Sequence, residues 1–286
     1  MLNGQHVVVV LPARNAEKTL RRTVGELDRN VVDDLILVDD ASLDGTVALA
    51  EELGLSTHRH QEVRGYGGNQ KSCYRLALDL GADVVVMVHP DYQYSPRLVP
   101  AMAAMIAFGE YDLVLGSRIL AQHSVHEGMP RYKYVANRAL TLVENVVMHE
   151  KLSEYHTGLR AFSRDLLEVI PFDRNSDDFV FDNQMIAQAL IANARVGEIS
   201  CPTRYDAESS SINFGRSVKY GFGVLRTSVQ YRLQKMHLGS FPYLTFEPGA
   251  PFIGAPKAST NGETSAQTRG LEKEVGARKR DETAAH

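Results

Sequence analysis

The segment HVVVVLPARNAEKTL (His6–Leu20) carries the clearest signal of the fold. Val7 to Leu11 form an uninterrupted apolar run of strand length, which is typical of a strand buried on both faces of a parallel sheet. Between residues 16 and 29 the apolar residues return with helical spacing and place Leu20, Val24 and Leu27 on one face. The segment therefore predicts a strand over 6–11 followed by a helix.

The same alternation continues to residue 116. Further strands are predicted at 35–38, 55–60, 84–88 and 112–115, helices at 44–53, 69–80 and 95–108, and a glycine-rich loop at 65–68. Strands separated by helices require right-handed crossovers, which place helices on both faces of a mostly parallel sheet. We therefore predict an α/β fold with a Rossmann-like central sheet.

The rhythm of the sequence changes after Gly116. Helices are predicted at 131–148, 181–192 and 214–236, a strand at 196–201, and an irregular segment at EYHTGLRAFS (154–163). From Glu247 onward six acidic and six basic residues accompany a single aromatic, Phe252, so little apolar surface is available to offset the entropy of ordering. We predict one domain over 1–244 and a disordered tail over 245–286.

Composition limits the classes of function. Of 286 residues, 31 are Lys or Arg and 35 are Asp or Glu, and this net charge of −4 argues against binding nucleic acid through a general basic field. Two cysteines form neither a disulfide framework nor a thiolate zinc site, which favours a reducing cytoplasm. The longest apolar runs have strand length and the first residues lack a secretory pattern, so a cytoplasmic location is predicted.

Polar residues follow four of the predicted strands. These ends are Pro12-Ala13-Arg14-Asn15, Asp39-Asp40, His89-Pro90-Asp91-Tyr92-Gln93 and Gly116-Ser117-Arg118. In an open parallel sheet, ligands bind outside the carboxyl ends of the strands. Carboxylates there accept hydrogen bonds from a ribose or a base, or hold a hard divalent cation against phosphate oxygens.

Each of these signals also has a structural alternative. Asp39 and Asp40 can also cap the next helix, although a functional role is favoured, and His89 is as well suited to a structural role as to metal ligation. The glycines of GYGG (65–68) do not fit G-x-G-x-x-G, which disfavours a dinucleotide-binding oxidoreductase. Asp91 points most clearly to function, because a charge at the tip of a buried strand generally has a functional partner.

Eight segments in order resemble the GT-A glycosyltransferases of glycosyltransferase family two, especially the branch similar to dolichol-phosphate mannosyltransferase. They are VVLPARNAEKTL (9–20), LVDDASLDGT (37–46), RGYGGNQKS (64–72), HPDYQYSP (89–96), LVLGSR (113–118), HTGLRAFSR (156–164), FVFDNQM (179–185) and PTRY with SSSI (202–212). The resemblance covers about residues 6 to 235. It implies a GT-A fold, with a nucleotide-sugar-binding half over 1–116 and an acceptor-side half over 117–244.

The resemblance also implies roles for residues on the donor side. Pro12, Ala13 and Asn15 would lie along the donor nucleotide, with Asp40 on the base or ribose. Ala16 stands where the family often has Glu, and Glu17 follows it. Asp91 would be the metal-bridging carboxylate of the D-x-D element, Gln93 a further ligand, and His89 replaces the first Asp of that element. Imidazole suits Mn²⁺ better than Mg²⁺, so a divalent metal, Mn²⁺ or Mg²⁺, is expected with a shifted preference.

For the acceptor side the resemblance implies phosphate-binding cations and leaves the acceptor open. Arg118 and Arg204 are expected on the donor diphosphate and Arg131 on an anionic acceptor, since guanidinium groups match phosphate oxygens in a bidentate way. A polyprenyl phosphate met at the membrane surface is the favoured acceptor and needs no base. If the acceptor is a hydroxyl, Asp182 would take its proton, although Asp182 is equally suited to capping a helix.

The predicted activity is an inverting, metal-dependent transfer of a sugar from a nucleotide-sugar donor. The sequence argues against one alternative function and leaves a second one open. A sugar nucleotidyltransferase would need a glycine-rich loop with a basic residue after the first strand, which PARNAEKTL (12–20) lacks. A nucleotide-binding pseudoenzyme is suggested by His89 in the metal element.

Overall fold

A seven-stranded sheet lies at the centre of the fold, with strand order β3-β2-β1-β4-β6-β5-β7. A computed structural model describes residues 1–120, 129, 131–202 and 214–246, which all belong to one compact unit. The strands are β1 Val7–Ala13, β2 Asp34–Asp39, β3 Ser56–Arg59, β4 Val84–Met87, β5 Leu113–Ser117, β6 Arg160–Ser163 and β7 Val196–Ser200. Arg204 and the predicted tail beyond residue 246 lie outside the described residues.

The sheet is parallel except at β6, which runs antiparallel to both of its neighbours, β4 and β5. The prediction of an irregular segment at 154–163 was therefore wrong for its last four residues. A four-residue strand that starts with an arginine offers no apolar run to detect. Arg160 is nevertheless completely buried, because backbone carbonyl oxygens of Tyr155, Thr157 and Asp182 accept its hydrogen bonds.

Helices cover both faces of the sheet, as the sequence predicts. They are α1 Glu17–Gly25, α2 Thr46–Glu52, α3 Tyr66–Asp79, α4 Val99–Ala107, α5 Arg131–Met148, α6 Arg164–Val169, α7 Phe181–Ile191 and α8 Phe214–Lys235. Strand β1 alternates between two cores, with Val8 and Val10 in one and Val7 and Val9 in the other. Complete burial of β1 follows from this double covering and explains its continuous apolar sequence.

The predicted glycine-rich loop at 65–68 is largely helical, because α3 begins at Tyr66. The glycines allow the loop before α7 to approach the backbone of α3 closely. A Cβ atom at Gly67 would lie 2.3 Å from the backbone oxygen of Ser176, and the Gly67 N–H donates to the backbone oxygen of Asp177 at 2.8 Å. The first turn of α3 is therefore the surface on which the loop before α7 packs.

Within the described ranges, no helix is both long enough and apolar enough to cross a lipid bilayer.

Candidate active site

A cavity of about 890 Å³ opens at the carboxyl ends of β1, β2 and β4. Its walls come mainly from five places: the end of β1 with the residues after it, Asp40 after β2, the start of α3, the residues after β4, and the loop before α7 together with α8. The volume lies within the range of small-molecule sites. Its position at the edge where parallel strands end is the one predicted from the sequence.

The loops after β1, β2 and β4 each contain a non-glycine residue with left-handed backbone geometry. These residues are Asn15 (φ 53°), Ala41 (φ 54°) and Tyr92 (φ 57°). Asn15 also joins two of the loops, since its N–H donates to Ser42 Oγ at 2.8 Å and its Oδ1 accepts from the Leu43 N–H at 2.9 Å. Such geometry costs about 1 to 3 kcal/mol per residue and clusters at functional sites.

Asp40 lies in the wall of the cavity and fixes the entry into α3. Its carboxylate accepts backbone hydrogen bonds from Arg64 at 2.7 Å and Gly65 at 3.0 Å. His60, which is also buried, lies 3.1 Å from the same carboxylate. Glu17 has a comparable structural contact, because its carboxylate accepts from the Gly45 N–H at 2.9 Å.

His89 and Asp91 also line the cavity, just beyond β4. Burial raises the pKa of Tyr66 well above its ordinary value, so the phenol stays protonated. Its hydroxyl donates a hydrogen bond to Asp182 Oδ2 at 2.6 Å. His89 Nε2 lies 3.0 Å from the same phenol oxygen and therefore donates to it. Burial also lowers the pKa of His89, which favours a neutral ring. Since Nε2 carries the hydrogen, the lone pair is on Nδ1.

Gly158 gives the His89 ring its space. A Cβ atom at this glycine would lie 2.8 Å from His89 Cδ2 and 3.0 Å from the ring of Tyr94. The Gly158 N–H donates to the Tyr94 hydroxyl at 2.9 Å, which holds the segment against the site. The glycine of the HTG sequence is thus required by the packing around His89.

The donor set at His89 and Asp91 fits a divalent metal that shares its coordination with a bound ligand. The described residues contain no group of three or more His, Cys, Asp or Glu side chains placed to hold a metal by themselves. One imidazole nitrogen and one carboxylate instead leave several coordination positions for phosphate oxygens and water. Asp91 Oδ1 also accepts from the Gln93 N–H at 3.0 Å, which orients the carboxylate.

Comparison with known proteins identifies the family. The model of glycosyl transferase family 2 matches residues 8–170, more than half of the chain. The chain belongs to glycosyl transferase family 2. The prediction of a glycosyltransferase is thereby confirmed.

Two relatives of the glycosyltransferase carry informative names. A UDP-N-acetylglucosamine–dolichyl-phosphate N-acetylglucosaminyltransferase of Methanococcus voltae is 26% identical over 82% of this chain and 96% of its own length. An undecaprenyl-phosphate mannosyltransferase of Micrococcus luteus is 26% identical over 68% of this chain and 81% of its own. A third relative, an uncharacterized protein of Methanocaldococcus jannaschii, is 28% identical over 78% of this chain and 91% of its own length.

Solved structures confirm the GT-A fold. Glucosyl-3-phosphoglycerate synthase of Mycobacterium tuberculosis, crystallised with Mn²⁺, UDP and phosphoglyceric acid, superposes with a TM-score of 0.61 at 20% identity and covers 80% of this chain and 79% of its own. The same synthase crystallised with Mg²⁺ and UDP gives a TM-score of 0.57.

The glycosyltransferase brings six of the predicted site residues to the cavity. They are Pro12, Ala13, Asn15, Asp40, His89 and Asp91. The other described ones, Gln93, Arg118, Arg131 and Asp182, do not line it. Arg131 is exposed at the first residue of α5.

Arg118 binds a buried carboxylate instead of facing the cavity. Its Nε donates to Glu154 Oε1 at 2.7 Å and its backbone N–H to Glu154 Oε2 at 2.7 Å. Burial alone would raise the pKa of Glu154, but the Arg118 charge and hydrogen bonds from Arg118 and Asn137 outweigh it and lower that pKa. The structure therefore gives Arg118 a role in the interior of the glycosyltransferase.

Asp182 is the second residue of α7, and Val180 occupies the N-cap position, so the helix-cap alternative is wrong. The carboxylate of Asp182 accepts from Tyr66 at 2.6 Å and Gln70 at 3.1 Å, and Arg160 lies 3.6 Å away. Both oxygens of Asp182 are therefore engaged by side chains of the protein interior. Tyr66, and not Asp182, lines the cavity.

The basic wall formed by α8 was not among the predicted sites. Arg216, Lys219, Tyr220 and Gly223 line the cavity, and their spacing of i, i+3, i+4 and i+7 places them on one helix face. Lys219 binds Asp178 at 2.6 Å, and this hydrogen bond holds the pKa of Asp178 below its ordinary value. The helical spacing of these residues was a usable sequence signal.

Proposed function

We propose that this glycosyltransferase is metal-dependent and inverting, and that it moves a sugar from a nucleoside diphosphate donor to a polyprenyl phosphate. One observation carries the proposal. The cavity is lined by His89 and Asp91, a donor pair suited to a divalent metal, and by Arg216 and Lys219 on one face of α8. A reaction between two phosphate-bearing substrates needs both elements.

The donor occupies the part of the cavity formed by β1, β2 and β4 in this proposal. Pro12 and Ala13 contact the nucleoside, and Asp40 and Asn15 hold the surrounding loops in shape. Asp91 and His89 would hold the metal, which would supply positive charge to balance that of the departing nucleoside diphosphate. Residues 1–116 then supply the donor side and residues 117–244 most of the acceptor side.

The acceptor assignment rests on the state of the acidic groups around the cavity. Among the described residues that line it, Asp40 accepts backbone hydrogen bonds, Asp177 binds Lys71 at 2.7 Å, and Asp178 binds Lys219. Asp91 is assigned to the metal. A phosphate acceptor suits this arrangement because its oxygen is already anionic and requires no base.

The names of the relatives support the same acceptor class. The proteins from Methanococcus voltae and Micrococcus luteus are named for transfer to dolichyl phosphate and undecaprenyl phosphate. Transfer to a hydroxyl with Asp182 as the base is less consistent with this site, because Tyr66 lies between that carboxylate and the cavity. A lipid acceptor places the enzyme at a membrane surface.

Transfer assays test the proposal. We would incubate the protein with a panel of nucleotide sugars and a short-chain polyprenyl phosphate, with and without Mn²⁺, and analyse products by mass spectrometry and the anomeric configuration by NMR. We expect a metal-dependent polyprenyl-phosphate sugar of inverted configuration. Asp91→Asn removes the product, whereas Asp79→Asn, at an exposed position in the last turn of α3, does not.

Specific outcomes would contradict the proposal. Product formed only on hydroxyl acceptors would contradict the proposed acceptor class. Product formed equally well in the presence of a chelator would contradict the proposed metal dependence. Nucleotide binding without turnover across the whole panel would favour the pseudoenzyme.

A further inference from the structure

Helix α5 has its polar side buried and its apolar side exposed. Buried positions include Asn137, Thr141 and Glu144, and Glu144 is completely inaccessible. The exposed apolar positions recur with a spacing of three or four residues and include side chains with 64 to 71% exposure. They are Tyr132, Val135, Ala136, Ala139, Leu142, Val143 and Val146.

Hydrogen bonds fix this orientation of α5. Asn137 Nδ2 donates to Glu154 Oε1 at 2.7 Å, and Asn183 Nδ2 donates to Glu144 Oε1. Rotating the helix to bury its apolar stripe would expose these polar contacts and leave Glu154 with fewer donors. The stripe from Tyr132 to Val146 therefore faces away from the core and is about 21 Å long at the helical rise of 1.5 Å per residue.

The neighbouring helix α8 adds a second row of apolar side chains. The two helices pack against each other. On α8, Val218, Phe222 and Val229 are 44, 69 and 49% exposed. Large apolar residues exposed on adjacent helices mark a surface that contacts another apolar phase or partner. We call these exposed residues of the two helices the α5–α8 face.

The charges on the two helices select the partner. Together α5 and α8 contain eight basic residues and one acidic residue, Glu144, which is buried, although the chain as a whole carries −4. Two of the eight, Lys219 and Lys235, bind Asp178 and Glu150. Apolar stripes beside basic residues are the pattern of helices that lie in the interface of an anionic bilayer.

We propose that the α5–α8 face docks on the surface of an anionic lipid bilayer. A second copy of the chain fits this face less well, because a two-fold contact would bring two basic surfaces together. The face lies next to the cavity, since Arg216 and Lys219 line the cavity while Val218 and Phe222 on the same helix are exposed. Delivery of a lipid phosphate to the site is a consequence that rests on the proposed function; the docking itself does not.

The absence of tryptophan from the sequence allows a site-specific test. We would introduce single reporters by Tyr132→Trp and Phe222→Trp, with Phe108→Trp as the control, because Phe108 is 62% exposed but lies outside both helices. Vesicles are phosphatidylcholine alone or phosphatidylcholine with phosphatidylglycerol. We expect a blue shift of emission for both reporters with the anionic vesicles, its reversal by high salt, and no shift for the control.

Charge insertion into the stripe gives a second measurement. The double substitution Leu142→Glu and Val146→Glu should weaken binding to anionic vesicles by about tenfold or more, since two apolar side chains leave the interface. Phe108→Glu should leave binding unchanged. Thermal unfolding followed by circular dichroism checks that each variant is folded, which is expected because the substituted side chains are exposed.

Several results would overturn the docking proposal. They are vesicle binding unaffected by the double substitution, a blue shift of the Phe108 reporter equal to the others, or a wild-type dimer that ignores vesicles and dissociates in the double variant. Transfer to a detergent-dissolved acceptor is measured separately. A protein that binds vesicles but transfers no sugar would refute the proposed function and leave the docking proposal intact. A protein that transfers sugar to the dissolved acceptor but does not bind vesicles would refute the docking proposal and leave the proposed function intact.

Discussion

Replacing Arg118 should destabilise the protein without weakening nucleotide binding. Arg118→Gln removes the guanidinium that donates to Glu154 at 2.7 Å and to the backbone oxygen of His156 at 2.8 Å. Glu154 is completely buried, so the substitution leaves a buried charge with its backbone and Asn137 donors only. Removing one partner of a buried ion pair costs about 3 to 5 kcal/mol, a large fraction of a typical unfolding free energy.

Urea unfolding followed by circular dichroism measures the effect. The free energy of unfolding should fall by about 3 to 5 kcal/mol for Arg118→Gln. Arg138→Gln is the control and should change it by less than about 0.5 kcal/mol, because Arg138 is exposed and donates to the backbone oxygen of Ser153 at 3.2 Å instead of binding a buried carboxylate. The pair Arg118→Met with Glu154→Leu should recover part of the loss, since no unpaired charge remains but the Asn137 amide and the backbone N–H of residue 118 lose their acceptor.

The same pair predicts a pH dependence. The pKa of Glu154 is lowered in the folded protein from its ordinary value of 4.5, so the pair contributes stability above that pH and loses it as the pH falls through the lowered value. The difference between wild type and Arg118→Gln should therefore shrink as the solution is acidified below 4.5. Unchanged stability of Arg118→Gln together with tenfold weaker UDP binding would refute this reasoning and restore the donor-phosphate role.

Three further predictions concern packing, metal preference and thiol access. Gly67→Ala should lower the free energy of unfolding by about 1 to 3 kcal/mol, because its Cβ would lie 2.3 Å from the Ser176 oxygen, whereas Gly221→Ala, with nothing within 4 Å, should be neutral or stabilising; equal melting temperatures would contradict this. His89→Asp should raise the ratio of Mg²⁺- to Mn²⁺-supported turnover, and an unchanged ratio would argue against ligation by the imidazole. Both cysteines are buried, and burial raises the pKa of Cys73, so Ellman's reagent should label neither thiol before unfolding; rapid labelling would contradict their burial.

The parts of the fold that sequence reasoning located are those encoded by local pattern. The apolar run from Val7 and the helical spacing around Leu20 are visible because each element buries a repeating set of side chains. Strand β6 lacked such a pattern, since its first residue, Arg160, is buried through hydrogen bonds to the backbone oxygens of Thr157 and Asp182 and not as part of an apolar run. The start of α3 was misplaced for a related reason: Gly67 is determined by contact with Ser176, more than one hundred residues away.

The candidate site divides in the same way. Strands β2 and β4 both pair with β1, and they are followed by Asp40 and by His89 and Asp91 respectively. Parallel pairing of these strands is therefore enough to bring the three side chains to one cavity. Arg118 also follows a strand, but β6 separates β5 from β4, which places its end two strand spacings, about 10 Å, from β4. The guanidinium of Arg118 binds Glu154, which lies in a segment without a helical or strand pattern in its sequence.

The position of β6 determines how the chain can be divided. In the described sheet, β5 pairs only with β6 and β7, and β4 has β6 as its second neighbour. A fragment ending at residue 116 would thus contain β5 without a partner and an apolar edge at β4, a combination that promotes aggregation. During synthesis this edge stays open until Arg160–Ser163 has left the ribosome. When the chain is cut at residue 116, the two pieces should consequently be soluble only if they are co-expressed, because residues 1–116 leave the sheet incomplete and are not a unit of folding.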